Sequence, residues 1–337
     1  ELESLFTQIL AIAGQMGVLK LGAVSLDGTK VKANASKHRA LSYGHATVLE
    51  EQLRAEVADL MRRAEAADET DIPDGMSIPE ELARREKRLT AIAQAKAEIE
   101  RRAQERHAAQ AEAYANKVAE RVKQEHATGK KPNGPAPQAP LPGPTAKDQV
   151  NLTDGESRIM PASNGFTQAY NAQAAVDVGS MLIVTGQISQ HPNDKQELKP
   201  MLDAIACLPD ALGAIGVLLA DSGYFSEANV AGCEARKITP YIAPGREAHN
   251  QSLVERFTEP PPIPCEADCV TTMRHRLKTA AGKALYALRK STAEPVFGII
   301  KSVMGFRSFL LRGVTAVSGE WNLVCIAWNL KRLHALQ

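Results

Sequence analysis

Apolar residues recur along the chain with a helical period in several segments, and these segments predict its main helices. Residues 1–18, 194–207 and 226–236 each show the spacing of an amphipathic helix. Residues 46–126 carry apolar positions at helical spacing in a segment rich in Ala, Glu, Arg, Lys and Gln, which predicts two long antiparallel helices. A Pro/Gly/Asp-rich break at residues 71–79 is expected to join them.

Strand patterns lie on both sides of this helical segment. Residues 21–33 predict two strands joined by a turn at Asp27 and Gly28, because Asp-Gly is a frequent turn sequence. Residues 170–189 predict a β-hairpin, and the fully apolar run at residues 215–220 predicts a buried strand. Helices are expected to fill most of the C-terminal part of the chain.

The order of these elements indicates an α/β protein with a mixed sheet flanked by helices, as in an RNase H-like fold. Residues 1–45 begin this domain with the first strand and Asp27, and residues 46–126 form a long helical insertion after that strand. Residues 127–147 form a Pro/Gly-rich linker, and residues 148–337 complete the domain. The insertion has a net negative charge, which favours a solvated arm that spaces or dimerises over a surface that binds phosphates.

The composition indicates the cellular compartment of the protein more clearly than it indicates what the protein binds. The net charge is +1, so charge balance alone does not indicate a nucleic-acid partner. The five cysteines are scattered and odd in number, which fits a reducing cytoplasm better than a disulfide framework. The apolar stretches are too short to span a bilayer, so no membrane partner is expected. The chain begins at Glu1 inside an apolar helical pattern, which predicts that a segment precedes it.

Two aspartates follow apolar strands that should be neighbours in the sheet. Asp27 ends the first strand, and Asp221 comes directly after the apolar run at residues 215–220. Each one alone is compatible with an ordinary turn aspartate. Together they predict a crevice for divalent metal, because Mg²⁺ prefers carboxylate oxygens and two-metal phosphodiester chemistry needs several converging carboxylates.

Glu294 is the candidate for a third carboxylate. The C-terminal part of the chain is rich in Arg and Lys and has few acidic residues. Lys290, Glu294 and Lys301 have the spacing of one helical face, which would place cations beside the metal site where DNA phosphates pass. A salt-bridged surface glutamate is the alternative. Pro295 disfavours helical geometry at Glu294, so the helix is expected to be kinked or to begin there.

In combination these segments resemble bacterial insertion-sequence transposases with a DDE catalytic domain, of the IS4/IS5-type superfamily. The resemblance rests on SLDGTKVKANASKH around Asp27, LLADSGYFSEAN around Asp221 and TAEPVFGIIKSVMGFRSFLLRG around Glu294. NLTDGESRIM, GFTQAYNAQAAVD and the C-terminal GEWNLVCIAWNLKRL add to it. It covers nearly the whole chain, and the motifs are specific in combination rather than singly.

The resemblance implies an enzyme that cuts and joins DNA. In that family the triad, here Asp27, Asp221 and Glu294, binds two Mg²⁺ ions, for which Mn²⁺ can substitute. One ion activates water to nick DNA at the end of the element, and the freed 3′-OH then attacks target DNA. The implied partners are double-stranded DNA, as element ends and target, and a second copy of the chain in a homodimer. The implied location is the bacterial cytoplasm, at the nucleoid when DNA is bound.

Many relatives carry a Tyr, Arg, Glu and Lys signature around the third carboxylate. Lys301 stands seven residues after Glu294, as that signature expects. Lys290 occupies the usual Arg position with Arg289 beside it, and Tyr286 is one place off. The basic C-terminal stretch is expected to contact DNA, with solubilising charge as the alternative. The candidate DNA-binding residues are Tyr286, Arg289, Lys290, Lys301, Arg307 and Arg312.

Two other functions compete with this interpretation. The segment SLDGT resembles the loop of haloacid-dehalogenase-type phosphatases, but their nucleophilic Asp would lie two residues before Asp27, where this chain has Ser25. A truncated, catalytically silent DNA-binding remnant of a transposase is the main alternative. It would bind DNA without cutting it, although all three carboxylates are retained.

A zinc site is a further hypothesis, for a separate group of residues. Cys265 and Cys269 have His249 and His275 nearby in the sequence. A single Cys-x₃-Cys pair in a Pro-rich segment is weak evidence compared with two Cys-x₂-Cys pairs. Structural or incidental cysteines are therefore the favoured interpretation.

Overall fold

The structure is a computed structural model, and it describes residues 2–65, 77–131, 133–162, 165–245, 258–263 and 267–337. The chain forms two compact units. The first consists of Glu1–Ala35 and Glu156–Gln337, and the second consists of Ser36–Gly155. The second unit contains the predicted helical insertion and the predicted linker.

Both units contain helices and strands. The strands are β1 (Ala23–Lys32), β2 (Ala40–Ser42), β3 (Gln149–Asn151), β4 (Arg158–Ala162), β5 (Gly165–Asp177), β6 (Ile183–Ser189), β7 (Val217–Ala220) and β8 (Thr239–Ile242). The helices are α1 (Leu2–Gln15), α2 (Tyr43–Glu65), α3 (Ile78–Thr128), α4 (Leu198–Ala206), α5 (Glu227–Glu234), α6 (Cys269–Lys278), α7 (Ala280–Ser302) and α8 (Val314–Leu336). Within the described ranges, no helix is both long enough and apolar enough to cross a membrane.

The first unit is built on a mixed sheet with the strand order β4-β5-β1-β7-β8, in which β6 also pairs with β5. Strand β1 is antiparallel to β5 and parallel to β7, and β7 is parallel to β8. The predicted mixed α/β architecture is therefore confirmed. The predicted hairpin is present as β5 and β6, which pair in antiparallel fashion. Strand β1 continues beyond its pairing with β7, so Asp27 lies within β1, where that pairing stops, and does not end the strand as predicted; Asp221 directly follows β7.

The predicted turn at Asp27 and Gly28 is wrong, because β1 runs without interruption from Ala23 to Lys32. Gly28 lies in register opposite Gln173 of β5. A Cβ atom on Gly28 would lie 2.7 Å from Asp194 Oδ1, which is closer than real Cβ contacts allow. Glycine is therefore required at this position for close approach of polar side chains, and not for a turn.

Helix α8 closes the core of the first unit against β5 and β6. Trp321 and Trp328 are both buried, as their spacing on one helical face predicts. The Trp321 indole donates a hydrogen bond to the Gln173 carbonyl at 3.1 Å, and Trp328 donates to the Met181 carbonyl at 2.9 Å. Asn329 bonds both the N–H and the C=O of Ile183. These polar contacts fix the register of α8 on the sheet as well as its packing.

The second unit pairs α2 with α3 and adds a two-stranded sheet of β2 and β3 that the sequence pattern did not predict. Its small core includes Leu41, Leu53, Ile92, Ile99 and Val150. Outside this core, ion pairs follow both helices, many of them between residues three or four apart. The predicted junction at residues 71–79 lies largely outside the described residues.

Candidate active site

Asp27 and Asp221 lie side by side in sequence register, Asp27 within β1 and Asp221 directly after the neighbouring strand β7. Leu26 of β1 pairs with Ala220 of β7 in parallel register, so each aspartate is the next residue along its strand. Asp221 caps a short 3-10 helix, Ser222–Tyr224, and accepts a hydrogen bond from the Gly223 N–H at 2.8 Å. The structure thus brings together two of the carboxylates that the sequence predicted.

The electrostatics of Asp27 reflect this arrangement. The pKa of Asp27 is raised from 3.8 to about 6, mainly by burial; the Gly28 N–H lowers it, the negative charge of Asp221 raises it, the charge of Arg289 lowers it, and the charge of Asp194 raises it. The Gly28 N–H donates to Asp27 Oδ1 at 2.9 Å. A carboxylate that is costly to ionise beside other carboxylates is a place where a bound cation would be stabilised.

Asp194 is a third acidic residue in this region, and the sequence analysis missed it. The periodicity placed it in a predicted helix at 194–207, but α4 begins only at Leu198. Its Oδ1 accepts hydrogen bonds from Asn171 Nδ2 at 2.6 Å and Gln173 Nε2 at 2.7 Å, and Lys30 Nζ lies 3.4 Å away. An Asp in the segment HPND, directly after a predicted strand, was the available signal.

The other oxygen of Asp194 and one oxygen of Asp221 both lie close to Gly223. A Cβ atom on Gly223 would lie 2.9 Å from Asp221 Oδ1 and 3.4 Å from Asp194 Oδ2, so both oxygens border the same small space. The side-chain oxygen of Asn171 is buried without a hydrogen-bond partner among the described residues and lies 3.0 Å from the Cβ position of Gly28. Oxygen donors therefore line this part of the crevice.

Glu294 lies on α7 and reaches the crevice only through Arg289. The Arg289 guanidinium donates to Glu294 Oε1 at 2.9 Å and approaches Asp27 Oδ2 at 3.7 Å. The Arg289 side chain is 14 % exposed, whereas that of Glu294 is 48 % exposed. Arg289 thus stands between two of the three predicted ligands. It is Arg289, and not Lys290, that meets the carboxylates.

Helix α7 does not begin at Glu294, as one of two expectations had it, but continues through Pro295 from Ala280 to Ser302. Proline lacks an N–H, so the carbonyl of Ser291 loses its helical partner. One turn earlier the Thr292 hydroxyl donates to the Leu288 carbonyl at 2.6 Å.

The remaining predicted DNA-binding residues differ in their surroundings. Lys301 is partly buried and donates to the Lys30 carbonyl at 3.0 Å, and burial followed by the charge of Lys30 lowers the pKa of Lys301. Arg307 and Arg312 are exposed, and each donates to a backbone carbonyl, of Lys301 and Asn34 respectively. Lys290 is exposed as well. The guanidinium of Arg289 lies 6.0 Å from the Tyr286 ring centroid.

The donor set of the crevice fits a hard divalent cation in its chemistry. Asp27, Asp221 and Asp194 offer carboxylate oxygens, which Mg²⁺ prefers. Across the described ranges, however, no three acidic, histidine or cysteine side chains converge with the spacing of a formed metal site. Arg289 supplies positive charge to Asp27 and Glu294 in the arrangement that the structure shows.

The zinc hypothesis gains no support from the residues that can be placed. Cys265 and His249 lie outside the described residues. Cys269 begins α6, and His275 Nε2 lies 2.9 Å from the Pro261 carbonyl oxygen.

Comparison with known proteins gave one match. Residues 264–334 match the family model of the transposase DDE domain. This match supports a DDE transposase. It includes Glu294, Arg289 and Lys301, whereas Asp27 and Asp221 lie outside it. Searches of curated proteins and of solved structures found no match.

We expect Asp27→Asn to stabilise the metal-free protein at neutral pH. The native pKa of about 6 lies above the unfolded value of 3.8, so ionising Asp27 opposes folding. The cost of ionisation appears as the pH rises above about 4 and is complete above about 6, where it reaches about 3 kcal/mol. Urea unfolding in EDTA at several pH values should show that the free energy of unfolding of the variant, relative to that of the wild type, increases as the pH rises through this range. If the variant and the wild type differ in free energy of unfolding by the same amount at pH 4 and pH 7, burial does not raise the pKa of Asp27.

Asp194→Ala should destabilise the first unit. The change removes the oxygen that accepts from Asn171 and Gln173, whose side-chain amide groups then lose hydrogen bonds, at a cost of about 1–3 kcal/mol. The matched control is Asp203→Ala on α4, where the carboxylate is exposed and pairs with Lys199 and Arg236. That control should cost less than about 1 kcal/mol by urea unfolding. Equal losses in the two variants would mean that Asp194 does not organise the crevice.

Proposed function

We propose that this chain is the catalytic part of an IS4/IS5-type DDE transposase with an RNase H-like domain, which cleaves and joins DNA strands at insertion-sequence ends. The observation that carries the proposal is the placement of Asp27 and Asp221 on neighbouring strands, each directly after the last residue pair that joins β1 to β7. The family match, which contains Glu294, supports it independently.

In this proposal Asp27, Asp221 and Glu294 hold two Mg²⁺ ions, or Mn²⁺ in their place. When bound there, the ions would supply positive charge that activates a water or a 3′-OH and stabilises the leaving oxygen of the phosphodiester. Asp27 contributes a carboxylate whose ionisation is costly in the metal-free protein, so a nearby cation favours its charged form. Asp221 is held in place by the Gly223 N–H.

Arg289 controls the access of Glu294 to this site. Its guanidinium can form paired hydrogen bonds with phosphate oxygens as well as with carboxylates. If a DNA phosphate replaced Glu294 as the partner of Arg289, the Glu294 carboxylate would be free to turn toward Asp27. Lys301, bonded to β1, keeps α7 in register with the strand that carries Asp27.

Double-stranded DNA is the proposed substrate, as element ends and as target. Lys290, Arg307 and Arg312 are exposed and would contact backbone phosphates, which gives affinity without sequence choice. Arg289 lies deeper, beside the carboxylates, with the Tyr286 ring 6.0 Å from its guanidinium. A homodimer acting on paired DNA ends is part of the same proposal.

The test is nicking of a labelled DNA duplex by this chain with Mg²⁺ or Mn²⁺. Metal-dependent nicking that requires the proposed ligands would support the proposal. DNA binding without nicking would favour the alternative, a truncated and catalytically silent transposase remnant. One observation favours that alternative: in the described part of the chain, Glu294 is bound to Arg289 and does not join the two aspartates.

A further inference from the structure

A cavity in the second unit has the chemistry of a phosphate-binding pocket. It has a volume of about 230 Å³ and is bordered by four basic side chains, those of His38, Arg39, His45 and Arg88. A water molecule in the liquid occupies about 30 Å³, so the cavity has room for a phosphate group together with several waters. Its floor is apolar and includes Leu41 and Ile92 of the core of the second unit.

The backbone that carries these side chains is fixed by local hydrogen bonds. His38 and Arg39 belong to a 3-10 helix, Lys37–Arg39, whose cap Ser36 accepts from the His38 N–H at 3.3 Å. The Arg39 carbonyl accepts from the Leu152 N–H at 3.0 Å. Asn151 Nδ2 donates to the Ser36 carbonyl at 2.8 Å. The basic side chains therefore extend from a preformed frame.

Arg39 and Arg88 differ from the other arginines of this unit. Arg85 pairs with Glu56, Arg106 pairs with Asp148, and the remaining arginines likewise bond a carboxylate or a carbonyl. Within the described ranges, Arg39 and Arg88 make no side-chain hydrogen bond or ion pair, and both are exposed. The other arginines engage several carboxylates of the unit, among them Glu50, Glu98 and Asp148, whereas Arg39 and Arg88 are available to an anion.

We propose that this pocket binds a backbone phosphate of DNA. Arg39 and Arg88 would donate to the phosphate oxygens, and the ring N–H groups of His38 and His45 would complete the cradle. The apolar floor suits the deoxyribose that adjoins the phosphate and strengthens the charged contacts by excluding water. The net negative charge of residues 46–126 predicts a poor phosphate-binding surface; of the four basic residues Arg88 belongs to that segment, whereas His38, Arg39 and His45 precede it. The inference deepens the proposed function, since it gives the second unit a contact with the same substrate.

The first test follows the eight histidines of the full chain by NMR while inorganic phosphate is added. His38 and His45 should shift together with one saturating curve. His107 and His126 lie on α3 and serve as internal controls that should not move. Arg39→Gln combined with Arg88→Gln should weaken this phosphate binding at least tenfold. Shifts of the same small size at all histidines would overturn the pocket.

The second test measures the salt dependence of binding to a short DNA duplex. The double variant R39Q/R88Q should lower the slope of log Kd against log salt by about one, the change expected for one lost phosphate contact. The charge-matched control is K117Q/K123Q on α3, which should leave the slope unchanged. A phosphate pocket with an unchanged DNA slope would overturn its assignment to DNA.

These outcomes are separable from those of the proposed function. A chain that nicks DNA, but whose DNA binding is the same with and without Arg39 and Arg88, would keep the transposase proposal and lose this inference. A chain that binds DNA through the pocket and never nicks it would keep this inference and lose the catalytic proposal.

Discussion

Asp221→Ala is expected to abolish metal-dependent nicking, with a loss on the order of 10²–10³-fold or more. The carboxylate follows β7 directly, next to the part of β1 that carries Asp27, so its removal leaves the crevice without one of its two neighbouring proposed ligands. The side chain also caps the 3-10 helix at Ser222–Tyr224, and loss of that cap costs only about 1 kcal/mol. The variant should therefore remain folded, and initial rates of nicking on a labelled duplex measure the effect.

The matched control for this substitution is Asp210→Ala. Asp210 is an exposed acid at the start of a short 3-10 helix in the same unit, and its replacement changes the net charge by the same amount. Circular dichroism should show both variants folded at the assay temperature. Wild-type nicking rates in a folded Asp221→Ala protein would remove Asp221 from the site, and an equal loss in Asp210→Ala would point to a charge effect alone.

The elements that dominate the fold could be predicted where the hydrophobic period was long or the pattern simple. The alternation in residues 170–189 predicted the hairpin of β5 and β6, and the spaced apolar positions of residues 46–126 predicted the helices now described as α2 and α3. The short strands β2 and β3 have three residues each, too few for a period to be visible. Their pairing depends on residues more than a hundred positions apart.

Asp27 and Asp221 could be predicted as a pair because each follows an apolar run, and these two runs pair in parallel; that β1 continues past Asp27 to Lys32 was not predicted. The turn at Gly28 was wrong because the same dipeptide serves a different purpose there, making room for Asp194 and Asn171. Asp194 itself gave a weak signal. Its partners Asn171 and Gln173 come from β5, and only the folded sheet brings these amides around the carboxylate.

The contact between Arg289 and the carboxylates could not be decided from spacing. Helical geometry placed Lys290 one turn from Glu294, whereas the structure shows Arg289 reaching Glu294 from five positions away. The Arg289 side chain is long enough to reach from α7 to Asp27 of β1. Which of two adjacent cations enters a crevice depends on the rotation of the helix against the sheet, and that rotation is a tertiary property.

Trp321→Ala is expected to have the largest effect on stability, at about 3–5 kcal/mol. Trp321 is fully buried, its ring lies 6.3 Å from that of Phe297 in a stacked arrangement, and its indole N–H bonds the Gln173 carbonyl. Gly186 is packed so closely that a Cβ atom there would lie 2.9 Å from the indole nitrogen. Such a loss is a large fraction of the stability of an ordinary domain, about 5–15 kcal/mol.

Trp321 also links the core to the crevice, because its indole N–H bonds Gln173, whose side chain bonds Asp194. Trp321→Phe removes this hydrogen bond and keeps an aromatic ring in the core. Phenylalanine retains most of the packing but leaves the Gln173 carbonyl without its donor, so a smaller loss of about 1–3 kcal/mol is expected. The side chain of Gln173 bonds Asp194, so this variant should reduce nicking by more than its stability predicts. Leu330→Ala, on an exposed position of the same helix, is the control and should change stability by less than about 0.5 kcal/mol. Denaturant unfolding and nicking rates together measure both effects, and full activity in a folded Trp321→Phe protein would separate the packing of α8 from the arrangement of the carboxylates.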